Sequence, residues 1–246
     1  MLMTLLLVVS AFCAGILNAI AGGGSFLTFP ALMLAGVPPV DANATSTVAV
    51  CPGALASALG YRRELRGLTD FNLKRFVAVS LVGGLLGALL LLSTPQRVFA
   101  ALVPWLLLFA TVLFAFGPTV SAAIRRRMRL GETPILATQF LIAIYGGYFG
   151  GGIGILMLAM LGVFGMTDLH AMNGVKALLS GCLNAVAVVA FVIGGAVHWP
   201  EAMVMTAAAV TGGYAGAAIG RRIPPRVLRG FVIVVGLTMS AAFFMK

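Results

Sequence analysis

Charge is confined to short clusters along this chain. Between them lie charge-free intervals at 42–61, 76–96, 98–124, 177–200, 202–220 and 230–245, and two longer ones at 1–40 and 133–167. A bilayer core asks for about 20 apolar residues per helix, and these intervals meet or approach that length. The period-2 alternation of barrel strands is absent from them, so they predict membrane-spanning helices. Both longer intervals are interrupted by glycine, at "LNAIAGGGSFLTFP" (Leu17 to Pro30) and at "GGYFGGGIG" (Gly146 to Gly154). Glycine is the poorest ordinary residue for a helix interior, so each run predicts a break with a shorter helix after it. The predicted helices are 2–21, 25–36, 42–61, 76–92 and 98–120, then 134–150, 153–164, 171–193, 202–220 and 229–245.

The two sets of five are related. At an offset of 130, Gly22 and Gly24 fall on Gly152 and Gly154, and Asn43 on Asn173; at 129, "GGLLGA" from Gly83 aligns with "GGYAGA" from Gly212. An ordered series of matches along the chain marks an internal duplication. Charge then sets its orientation. With five crossings per half, the clusters Arg62, Arg63, Arg66, Lys74 and Arg75, then Arg125, Arg126, Arg127 and Arg129, then Arg221, Arg222, Arg226 and Arg229 share one side. The positive-inside rule makes that side cytoplasmic. The expected fold is therefore an all-α polytopic protein of two inverted repeats, each with a glycine-broken first segment: about eight full helices, two short segments and ten crossings. Residues 1–124 form repeat 1, 125–132 a basic cytoplasmic linker and 133–246 repeat 2, with both termini outside.

Composition agrees: 61% hydrophobic and 9% charged residues exclude a soluble domain. The net charge of +10 sits in loops, where it reads as topology signal and anionic-lipid contact rather than nucleic-acid binding. Met1 to Gly15 lacks the basic start and cleavage site of a signal peptide and is expected to be a mature helix. Cys13, Cys51 and Cys182 stand singly within apolar spans, which reads as burial rather than metal ligation.

Inverted repeats with broken helices are the architecture of secondary transporters. A half-helix that begins inside the membrane presents free N–H groups and a positive dipole end, a natural cradle for an anion. Gly22, Gly23, Gly24 and Ser25 form one predicted cradle, with Ser25 as N-cap or ligand hydroxyl; Gly151, Gly152 and Gly154 form the other. Asn43, Thr45, Ser46 and Thr47 cluster at one helix start, and Asn173 and Lys176 share a face at the equivalent one. Lys176 is the one cation inside a predicted span, which points to an anionic substrate, the competing reading being a snorkelling side chain. Asn18, Tyr145, Tyr148 and Asn184 add polar groups at membrane depth. Asp41 and His170 lie at matching loop ends and are weak candidates for ion coupling, to H+ or Na+. No cofactor or metal is expected.

"GILNAIAGGGSFLTFPALMLAGVPPVDANATSTVAVCPGALASALGYRREL" resembles the first repeat of the TauE/SafE sulfite-exporter family, also called the toluene sulfonate uptake permeases. The second repeat departs from the family pattern at Ile153, inside the glycine run, and lacks a proline equivalent to Pro30. The resemblance covers essentially the whole chain. It implies transport of a sulfur-containing anion (sulfite, sulfoacetate or another organosulfonate) across the bacterial inner membrane, coupled to an ion gradient and in the direction of export. The residues themselves reach a small-anion carrier working by alternating access, the two halves rocking about a midplane site, and leave a passive anion channel open. A membrane enzyme would need clustered acid–base groups, which two distant histidines and scattered carboxylates do not supply.

Overall fold

The computed structural model describes residues 2–20, 23–68, 72–127, 131–219 and 225–245. These form α1 (Leu2–Ile20), α2 (Ser25–Leu34), α3 (Pro39–Gly60), α4 (Arg62–Arg66), α5 (Leu73–Ser93), α6 (Gln96–Arg127), α7 (Glu132–Tyr148), α8 (Ile153–Phe164), α9 (Leu169–Ile193), α10 (Trp199–Ile219) and α11 (Pro225–Phe244), with no strand among the described residues. All ten expected helices are present. The short α4, rich in arginine, carries too little apolar sequence to register as a span. The long α6 runs through Arg127, so helix takes in part of the expected linker.

Local chemistry sets many of the ends. Pro39 opens α3, where its missing N–H costs nothing. Asp168 caps α9 by accepting from the His170 amide at 2.9 Å. At the breaks, Gly23 and Gly152 adopt φ of 101° and 77°, backbone that side-chain-bearing residues rarely enter.

Leu73–Ser93, Gln96–Gly117 and Leu169–Ile193 are long and apolar enough to cross a membrane. Exposed Val82, Leu86, Leu89 and Leu90 on α5 are the kind of surface that lipid covers.

The packing does not follow the sequence halves. α5, from the first half, packs on α7 and α9 of the second, while α10 packs on α1 and α3 of the first. Phe76 of α5 shares a core with Ile135, Met157, Leu161, Val175 and Leu183 of the second half. Met205 of α10 joins Leu17, Phe26, Phe29 and Leu32 of the first. The structural bodies are therefore α1–α3 with α10, and α7–α9 with α5. Glycine permits the exchange, because in both pairs the backbones touch. A Cβ on Gly87 would overlap the Ile144 carbonyl, and one on Gly147 the Gly84 carbonyl; Gly15 and Gly212 meet the Ala209 and Phe12 carbonyls in the same way. Each of these contacts joins an element of one sequence half to an element of the other.

Candidate functional site

The two bodies meet where α3 runs along α9, and a cavity of about 70 Å3 lies between these helices and the two breaks. One water needs roughly 10–15 Å3 by this measure, so the space suits a few waters or a small polyatomic anion.

From α3 come Val50, Gly53, Ala54 and Ser57, spaced three and four apart and hence on one face. They lie in the half of α3 that leads into α4. From α9 come Lys176, Ala177, Ser180 and Asn184, again one face. The first break supplies Asn18, Gly23 and Ser25, and the second Gly150, Ile153 and Gly154. Both breaks thus reach one cavity.

Lys176 is the charged group at its wall. It is 8% exposed, and its ammonium donates to Asn173 Oδ1 at 2.9 Å. Among the described residues no carboxylate pairs with it. Charge inside a membrane costs roughly 2.5–3.5 kcal/mol on insertion scales, and a neutral amide oxygen offsets only part of that. Ser180 Oγ donates back to the Lys176 carbonyl, which fixes its rotamer. At the first break the Gly24 amide donates to Asn18 Oδ1 at 2.8 Å, so one free N–H of the cradle is already engaged. Gly24 is the N-cap of α2, which moves Ser25 from the expected cap to the first helical position, at the cavity wall. Gly22 lies outside the described residues.

Other predicted site residues are placed elsewhere. Asn43 is buried and donates to the Tyr148 carbonyl at 2.9 Å, joining the two bodies. Ser46 and Thr28 share a hydroxyl hydrogen bond of 2.6 Å, Thr45 Oγ1 accepts from the His198 amide at 3.0 Å, and Thr47 Oγ1 donates to the Asn43 carbonyl at 2.9 Å. Gly151 packs on the Phe149 ring and Gly152 on Ala110, while Tyr145 Oη donates to the Gly151 carbonyl at 2.8 Å. Asp41 and His170 do not come together. Asp41 accepts from Gln96 Nε2 at 3.2 Å and lies 3.6 Å from His198 Nε2, whereas His170 is exposed at the other end of the bundle.

These contacts close the Asp41 side. Phe29 meets Phe149 edge-on at 5.7 Å and Phe99 meets Tyr148 at 5.5 Å, stacking an aromatic layer beside the Asn43 bond. The cavity lies on the α4 side of that layer. Ser57, Ser180, Gly53 and Gly150 were missed as wall residues. Ser180 was within reach of sequence reasoning, because it follows Lys176 by four positions and so shares its face.

The sulfite exporter TauE/SafE family profile matches residues 7–243. The chain is similar to the probable membrane transporter protein YfcA of Escherichia coli (strain K12), 31% identical over 237 residues, covering 94% of this chain and 86% of that protein. It is also similar to a probable membrane transporter protein of Haemophilus influenzae, 29% identical over 232 residues, with 94% and 90% covered. A third relative is the probable membrane transporter protein ORF9 of Sinorhizobium sp, 30% identical over 241 residues, with 95% and 89% covered.

Proposed function

This chain belongs to the TauE/SafE family of membrane transporters, and we propose that it is a secondary carrier exporting a small sulfur-containing anion, sulfite or an organosulfonate, across the cell inner membrane. The observation that carries the reading is Lys176, a buried cation with no carboxylate partner among the described residues, at the wall of a small cavity between two helix breaks. A buried charge in that setting is stabilised most by an anion that enters with it.

The mechanism is alternating access. With the basic clusters cytoplasmic, the α4 side is the inner face, the Asp41 side the outer face, and both termini are periplasmic. The closed layer of Phe29, Phe99, Tyr148, Phe149 and the Asn43 bond is then the outer gate, and it favours a carrier over a continuous pore. Cargo binds beside Lys176 from the cytoplasm, the body α1–α3 with α10 shifts against α7–α9 with α5, and the outer layer parts. Asp41 with His198, rather than His170, is the candidate for coupling to a proton or sodium gradient.

Counterflow tests this. In proteoliposomes loaded with unlabelled sulfite, part of which is hydrogen sulfite at neutral pH, or with methanesulfonate, labelled substrate should accumulate transiently, and it should not when acetate is loaded. Lys176→Met should abolish the accumulation while leaving a monodisperse protein. Flux without counterflow would replace the carrier by a channel, and unchanged affinity in Lys176→Met would return the lysine to snorkelling.

A further inference from the structure

The cavity-facing side of α9 carries Asn173, Lys176, Ser180 and Asn184 at steps of three and four, a polar line from near the start of the helix to past its middle. The first three are engaged with one another, through the Lys176 ammonium on Asn173 and the Ser180 hydroxyl on the Lys176 carbonyl. Asn184 is not. It is 9% exposed, it lines the cavity, and its carboxamide has no hydrogen-bond partner among the described residues. Its polar atoms are not sealed in protein but open to the cavity, so they can bond a ligand atom that enters it.

The charge around this line is unusually easy to count. On the helices that pack against α9, α8 carries no charged residue and α3 only Asp41, which is held at the far end by Gln96 and His198. Glu132 of α7 pairs with Arg75 of α5 at 3.3 Å. Lys74, and Arg62, Arg63, Glu64 and Arg66 of α4, belong to the α4 end, and among the described residues none pairs with Lys176. His170 is exposed at the start of α9. Among the described residues, one positive charge, that of Lys176, therefore lines the cavity. A singly charged anion cancels it, whereas a dianion of the same size leaves one negative charge unpaired in a site poor in water.

We propose that the cavity selects its cargo by charge, accepting a singly charged oxyanion held between Lys176 and the Asn184 carboxamide and rejecting dianions of similar size. Asn184 suits that role because it offers both kinds of bond. Its Nδ2 donates to a sulfonate oxygen, and its Oδ1 accepts from the hydroxyl of a protonated oxyanion such as hydrogen sulfite. This inference rests on the anion-carrier reading and narrows it.

The test is binding of two probes to the purified full chain at matched ionic strength: methanesulfonate, a monoanion, and sulfate, a dianion of similar size. Methanesulfonate should bind at least about tenfold more tightly. Asn184→Ala should weaken it roughly tenfold or more, as expected for a hydrogen bond to a charged group, and Asn184→Gln should restore part of the loss. A second cation on the facing wall, Ser57→Lys, should bring sulfate binding up. Equal affinity for the two probes in the unmodified chain overturns this inference alone and needs no variant to fold. So does an Asn184→Ala protein that is folded and binds methanesulfonate unchanged. Failure to bind either probe, together with absence of counterflow, overturns the anion-carrier reading and this inference with it.

Discussion

Gly53 sits in the interior of α3, where helix propensity argues against it, and nothing lies within 4 Å of the position a Cβ would take. The empty space is the cavity itself. Alanine there should strengthen the helix by about 0.5–1 kcal/mol and narrow the binding space at the same time. Gly53→Ala is thus expected to raise the melting temperature in detergent while lowering the transport rate; a rise in both would place the cargo elsewhere. Lys176 shows the opposite balance, a residue costly to the fold whose role in the proposed function is to hold the anion. The sequence revealed Lys176, because a charge within an apolar span stands out from its surroundings. It did not reveal Gly53 or Ala54, because small residues in membrane helices serve helix packing and cavities alike, and nothing in their chemistry separates the two uses.

Both breaks were readable as glycine runs, yet the helices that follow them start by different means. Gly24 begins α2 in ordinary right-handed backbone with its amide on Asn18, and a Cβ there would press on the Asn18 side chain at 2.7 Å. Gly152 begins α8 at φ 77°. Left-handed backbone costs an L-residue roughly 1–2 kcal/mol, so Gly152→Ala should lower stability by about that much in thermal unfolding. An unchanged midpoint would mean that the turn re-forms by another route. Which glycines reach the cavity was not readable. Successive residues of a tight turn point in different directions, so Gly150 and Gly154 line the space while Gly151 and Gly152 turn towards Phe149 and Ala110. The polar cluster at the start of α3 was likewise visible, but its partners were not, because they come from distant elements such as Tyr148 and His198. In the proposed outer gate this cluster is loosely held: Asn43 bonds through its nitrogen and leaves Oδ1 buried without a partner among the described residues, which costs about 1–3 kcal/mol and favours a layer that can open.

At the scale of the whole molecule, the ten principal helices and the all-helical class were written in the period and spacing of the apolar intervals. The exchange of α5 and α10 between the halves was not, since a membrane helix is apolar on every face and its sequence does not name its neighbour. The exchange predicts that neither half is stable alone. Residues 1–128 and 129–246 expressed as separate chains should each be degraded, and together should co-purify as a folded pair. A stable first half on its own would contradict the packing of α1 on α10. The contact of Gly15 with Ala209 also bears on biogenesis. α1 leaves the ribosome well before α10, the helix it packs on, a delay on the order of ten seconds at ordinary rates of synthesis. For that interval the small-residue face of α1 lies bare in the membrane, open to lipid, to the insertion machinery or to α1 of a neighbouring nascent chain. The glycines that let the finished helices touch therefore also leave α1 dependent on assistance until α10 is made.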